Sequence, residues 1–456
     1  MQITKEQTQN YLNSFNGEFR EIFFEKSKTF KFTCVNGIFK TPVFSSLEGF
    51  SILSRSGKNE YFKVFSDLEN IDEKIERFKE EFFNKDDLQI ISPKIILNGK
   101  EKLELKNIEN INFEIDEIIS STLDLFQEYI SKDKKSFVSS SEISVILSHK
   151  SFIVGNSEGN FSNDTNFYNT YFIKLIGEKA ENREEIYEKI TGTDIIHKFN
   201  KENFKKAILK SINVLEKQLD GKTSPSGKID VIIGNEAGGT IIHEAVGHGL
   251  EADLQNSSVY KNKIGQKVAS ENVTVVDNPT NIGERGFYNF DHEGHFAKNT
   301  VLIENGILKS YLHNTKTAKK FGVSSTGHGR KETYQHKSLV RMGNTYLLPG
   351  TDKKEDLIAK VSHGIYVSRM GGGQVNITNG NFVFKVQNGY LIENGKLTHN
   401  VKGATISGNG PEMLNEIYGI CDDLNFFDGG TCGKGQSMPV SDACPTILTK
   451  LKVSGV

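Results

Sequence analysis

The sequence predicts an α+β fold: an N-terminal α/β domain of helices packed on sheet over residues 1–220, then a β-rich, barrel-like, largely antiparallel C-terminal domain over residues 221–456. Three observations carry this. Of 42 glycines, 9 fall in residues 1–220 and 33 in 221–456, so the second part holds far more tight turns and close backbone approaches. The segment GKTSPSGK (221–228) has the composition of a linker and directly follows a helical pattern. Beyond it, short β-forming runs alternate with turn dipeptides, which points to a barrel or a heavily curved sheet.

In the first part, Leu68, Ile71, Ile75, Phe78 and Phe82 recur at helical spacing and predict a helix over 67–84, with a second over 116–131. Strand-like runs lie between and after them at 91–99, 141–156 and 166–177, and a last helix over 201–219 closes this part, which is divisible into about 1–85 and 86–220. In the second part, Asn305-Gly306 and Asn394-Gly395 each sit between apolar runs, the pattern of a two-residue hairpin.

The 56 Lys and Arg nearly balance the 58 Asp and Glu, so no field favours a nucleic-acid backbone or an anionic membrane. No stretch approaches the roughly 18 apolar residues of a membrane span, and the first twenty residues lack the apolar core of a signal peptide. A cytoplasmic location is the expectation. Four irregularly spaced cysteines (Cys34, Cys421, Cys432, Cys444) argue against a disulfide framework and leave a metal-binding thiol open.

Chemistry concentrates in GGTIIHEAVGHGLEAD (238–253), where a helix would bear His243, Glu244 and His248 in an HExxxH pattern. Residues four apart on an α-helix point about 40° from each other, whereas residues five apart diverge by about 140°. Two histidines at this spacing reach one ion only if the helix distorts, and Gly247 and Gly249 permit a π-type bulge or an early end. Imidazoles suit Zn²⁺, and a glutamate beside the first ligand can take a proton from water. A catalytic zinc usually has three protein ligands. Cys432, in a Gly-rich loop, is the best candidate for the third; Cys444 is a competitor and Glu251 a weaker alternative.

These stretches, together with STGHGRKETYQH (325–336), RMGNTYLLPG (341–350), GGGQVNITNGNFVF (371–384), VKGATISGNGPEML (401–414) and GTCGKGQSMPV (430–440), resemble the TldD/PmbA family in its TldD-like branch. The resemblance runs through nearly all of 222–456. It implies a zinc metallopeptidase in which His243, His248 and Cys432 hold the ion and Glu244 is the general base, acting on unstructured peptides. It also implies a homodimer, or a heterodimer with a TldE/PmbA-like subunit. The sequence departs from the family pattern at Cys444, where Gln is common. His328, Arg330, Tyr334 and His336 are candidate substrate-binding groups for the developing oxyanion. Gly371, Gly372, Gly373 and Gln374 are a candidate backbone edge for an extended peptide. The competing reading is a noncatalytic, zinc-containing partner or peptide-binding subunit, against which the intact Glu244 argues.

Overall fold

The computed structural model describes residues 2–83, 94–100, 102–105, 115–131, 135–193, 198–427 and 429–455. It is a mixed helix-and-strand structure whose first part is built on a large antiparallel sheet, with a small two-stranded sheet of Gln2–Thr4 and Lys102–Glu104 apart from it. The large sheet runs in the order Asn59–Phe65, Val43–Ser56, Phe19–Val35, Val138–Asn156, Phe161–Lys179, Asn182–Gly192. Phe19–Val35 pairs with Val138–Asn156 from Glu21↔Asn156 to Val35↔Glu142, so residues on both sides of position 85 contribute to a single sheet.

Helices cover this sheet where their apolar stripes predict. Ile71–Phe82 buries Ile75 and Phe78, with Asp72 and Glu73 favourably placed in its first turn. It starts later than expected because Asp67 turns back to accept the Glu69 N–H and pair with Lys74. Ile115–Leu125 continues into a π-helical turn at Phe126–Ile130. Lys201–Leu219 forms over the expected residues, opened by Asn200, whose side chain accepts the Asn203 N–H. It buries Phe204, Ile208, Ile212, Leu215 and Leu219 against the sheet. Of the strand expected at 91–99, residues 91–93 lie outside the described residues and 94–98 form no strand. Asn98 there bonds to the Gly159 carbonyl instead.

The second part contains a closed five-stranded barrel. Asn381–Glu393, His363–Val375, Gly227–Ile233, Ile447–Ser454 and Thr405–Asn409 pair in that order, and Thr405–Asn409 returns to Asn381–Glu393. Pairing is antiparallel except between Gly227–Ile233 and His363–Val375, which run parallel. Both predicted hairpins are present: Asn305 and Gly306, and Asn394 and Gly395, all have positive φ, as a type I′ turn requires. A second sheet lies beside the barrel. In it, Asn344–Leu347 runs parallel to Ser437–Cys444, and Gly430–Gly433 folds back on Ser437–Cys444 as a short hairpin. The barrel's apolar interior (Val231, Ile233, Ile365, Val367, Ile406, Val453) is continuous with Ile241, Ile242, Ala245 and Val246, so the barrel is the seat of the helix that carries the histidines.

Candidate metal centre

The helix leaves the barrel strand Gly227–Ile233 and begins at Gly238. Its glycines are needed by their neighbours. A Cβ at Gly239 would lie 2.1 Å from Asp442 Oδ1, and one at Gly247 would lie 2.1 Å from Met342 Sδ. After one α-helical turn, Gly238–Ile241, the backbone widens into a π-helix at Ile242–Gly247 and then tightens into a 3₁₀ turn at His248–Leu250. The His248 N–H donates to the His243 carbonyl, a bond that spans five residues. That widening brings the two imidazoles together, with ring centroids 5.0 Å apart and planes at 84°.

Cys432 comes from the Gly430–Gly433 hairpin, 184 residues after His248. Its Sγ is 3.1 Å from His248 Nε2, and one ligand atom each from His243, His248 and Cys432 lie within 4.8 Å of one another. All three residues are buried. Cys444 is not in this group; it is buried against Gly238, where an added Cβ would meet its sulfur at 2.7 Å. The thiol thus fills the tight contact between helix and sheet.

Glu251 is neither a ligand in this group nor a solvated cap. It is fully buried, and its Oε2 lies 2.7 Å from His248 Nδ1 and 3.2 Å from Lys434 Nζ. Arg341 Nε stands 3.9 Å from Glu251 Oε1, while its Nη1 and Nη2 donate to the carbonyls of Gln436 and Cys432, each at 2.6 Å. Glu251 therefore orients the second histidine and Arg341 holds the cysteine hairpin. No local pattern distinguishes Arg341 from a surface arginine, because its partners lie about 90 residues away. Glu244 Oε2 is 3.9 Å from His248 Nε2, and its side chain is one-third exposed, whereas the three candidate ligands are buried.

The electrostatics favour a thiolate. Burial would raise the Cys432 thiol, but hydrogen bonding to His243 and His248 brings it down to about 5. Burial would lower His248, yet the Glu251 charge and the Cys432 hydrogen bond lift it to about 10. Burial opposes ionisation of Glu251 too, and the His248 and Lys434 charges bring it to about 2. His243 Nδ1 is buried without a hydrogen-bond partner among the described residues. Two imidazoles and one thiolate make a three-ligand donor set that fits a catalytic zinc.

The expected substrate groups fall into two sets. His328, Arg330 and Tyr334 are at most 1% exposed. His328 is held by Asp277 and Thr326, each at 2.9 Å; Arg330 Nη1 donates to the Met342 carbonyl, and its guanidinium lies 4.9 Å from the Tyr288 ring centroid. Tyr334 packs with Phe23, Phe152 and Val154 of the first sheet. The segment runs through the interior, where all three side chains are buried among protein partners. His336 is half-buried beside Thr333. Gly372, Gly373 and Gln374 are exposed and Gly371 is half-buried, on a stretch that pairs with Asn381–Glu393 but extends beyond the last register with Gly227–Ile233 at Val367.

Comparison with known proteins identifies the family. Residues 226–455 match the model of the PmbA/TldA metallopeptidase C-terminal domain. The chain is 32% identical to the metalloprotease TldD homolog of Buchnera aphidicola subsp. Schizaphis graminum, over 96% of this chain and 93% of that protein. It is 34% identical to the zinc metalloprotease TldD homolog of Saccharolobus solfataricus, over 52% of this chain and 54% of that one. The fold matches the crystal structure of TldE from Thermococcus kodakarensis with a TM-score of 0.76 at 19% identity, covering 99% of each chain. No helix among the described residues is long and apolar enough to cross a membrane. With the family model spanning half the chain and the Buchnera relative spanning nearly all of it, the chain belongs to the TldD/PmbA metallopeptidase family.

Proposed function

We propose that this chain is a zinc-dependent peptidase in which His243, His248 and Cys432 are the metal ligands and Glu244 is the general base. The observation that carries it is the convergence of three buried ligand atoms within 4.8 Å, with a partly exposed glutamate 3.9 Å from one of them. Zinc bound there would supply a Lewis acid for a peptide carbonyl and for water. The chain's own groups do the rest. Glu251 accepts the Nδ1–H of His248 and so presents Nε2 to the ion. Arg341 fixes the Cys432 backbone. Glu244 accepts a proton from the attacking water at its carboxylate and returns it to the leaving amine.

The exposed edge at Gly371–Gln374 gives an extended peptide a strand to pair with through backbone alone, which favours unstructured substrates. Dimerisation, with a second copy or with a TldE-like subunit, belongs to this reading.

The test compares wild type with Glu244→Ala, both purified without chelators, for bound metal and for cleavage of an unstructured peptide. Both proteins should carry zinc, and cleavage by the variant should fall by about 10²–10⁴-fold. Equal cleavage by both would remove Glu244 from the reaction.

A further inference from the structure

The hairpin that carries Cys432 is fastened to the first part of the chain by residues outside the 226–455 match. The Gly429 N–H donates to Thr191 Oγ1 at 2.8 Å in a buried contact. A Cβ at position 429 would lie 2.3 Å from that oxygen, so glycine lets the backbone close onto the hydroxyl. Just before it, the Phe427 ring lies 4.2 Å from Lys210 Nζ and 4.6 Å from the Arg369 guanidinium carbon. Both cations also face Glu188, Arg369 in a direct ion pair and Lys210 at 3.9 Å. Arg285 completes the fastening: its Nε donates to the Gly430 carbonyl at 3.1 Å and its Nη1 to the Asn169 carbonyl at 3.3 Å. Asn169, Glu188 and Thr191 sit on the last two strands of the first sheet, and Lys210 on the helix that covers it.

We propose that Thr191 is a positioning residue for the ligand Cys432, accepting the Gly429 N–H and thereby fixing the approach of the hairpin to His243 and His248. This rests on the metal-centre reading above. Arg341 holds the hairpin from residue 432 onward, through the carbonyls of Cys432 and Gln436. That contact does not reach Gly429 or Gly430; there Arg285 holds the Gly430 carbonyl and Thr191 holds the Gly429 N–H, the buried anchor on that side. A ligand displaced by a fraction of an ångström binds its metal less well, which is why groups one step removed from a metal matter. Thr191→Val keeps the side-chain shape, removes the acceptor and leaves a buried N–H unpaired. Thr191→Ser keeps the acceptor.

The experiment loads metal-free wild type, Thr191→Val, Thr191→Ser and Cys432→Ala with Co²⁺ alone and follows the thiolate-to-cobalt charge-transfer absorption through each titration. Wild type and Thr191→Ser should give the same band at the same affinity. Thr191→Val should bind cobalt about 10–100-fold more weakly and show, at saturation, a band reduced toward that of Cys432→Ala. A purely structural role for Thr191 would lower the unfolding temperature and leave band and affinity at wild-type values, which overturns the proposal. A wild type with no band beyond that of Cys432→Ala overturns the metal-centre reading and this inference together.

Discussion

The first sheet is built on strands of 17, 14, 19 and 19 residues, whereas the strands that frame Cys432 run four and eight residues. Along Phe19–Val35 the register with Val138–Asn156 holds without a shift. Around the barrel, by contrast, His363–Val375 and Asn381–Glu393 shift register between Val367 and Arg369, Arg369 and Met370, and Met370 and Gly373. A long ladder makes each strand position depend on many others, so no one residue decides it. The region around the metal centre depends instead on single close approaches and on a few buried charges. The two regions should therefore respond differently to substitution, and the contrast can be tested from the harshest change downward.

Glu251→Ala should do the most damage. It removes a fully buried carboxylate that faces His248, Lys434 and Arg341, and it leaves those charges without their common partner. Breaking a buried ion pair from one side costs about 3–5 kcal/mol. Urea unfolding of the metal-free protein should show that loss, and metal affinity should fall by about 10–100-fold as His248 loses its orienting group. A loss under about 1 kcal/mol would mean that the carboxylate is surface-like and the burial argument fails.

Glycines sharpen the contrast. A Cβ at Gly410 would lie 2.5 Å from the Ala245 carbonyl oxygen, in the π-helical turn between the two histidines. Gly410→Ala should cost about 1–3 kcal/mol and weaken metal binding, because the backbone that must move carries His243 and His248. Gly57, in the hairpin turn between Val43–Ser56 and Asn59–Phe65, has φ +54° and open space around it. Gly57→Ala should cost only about 1 kcal/mol, from its left-handed backbone, and leave metal content unchanged. Equal effects on metal content at the two positions would erase the difference between the regions.

The same contrast explains what was legible in the sequence. Lys201–Leu219 declares itself through its helical pattern, and the two Asn-Gly hairpins through local turn chemistry. The HExxxH spacing even implies its own distortion, because residues five apart cannot face one ion from a regular helix. What periodicity could not give was long-range pairing: the single parallel contact in the barrel, or the seating of Cys432 by Arg341 and Thr191. The burial of His328, Arg330 and Tyr334 was not legible either, because a polar, Gly-containing segment looks the same in sequence whether it crosses the interior or the surface. Glu251 looked like a helix-end carboxylate for a related reason: its burial is imposed by Lys434 and Arg341, which the chain reaches far later.

The effect that vanishes at neutral pH, and that emerges only on acidification, concerns one buried histidine in each region. Burial holds both His149, on the first sheet, and His313, beside the Thr315–Phe321 helix, neutral down to about 4, against an ordinary value of 6.5. For each, the unfolded chain takes up a proton near pH 6.5 while the folded chain does so only near 4. The unfolded state thus binds more protons between those values, and stability falls as pH drops from 6.5 to about 4. Each histidine should contribute a slope of up to about 1.4 kcal/mol per pH unit. His149→Gln and His313→Gln should each flatten the measured slope, and the double variant should sum the two because the sites are independent. A double variant with the wild-type slope would show that neither histidine is held neutral. The number of transitions adds a second reading. If one cooperative unfolding step is flattened by both variants, the long ladder and the glycine-rich region stabilise each other through contacts such as Thr191 with Gly429. Two steps, each moved by one variant, would instead divide the molecule near Gly221 and make the hold on Cys432 separable from the stability of the barrel.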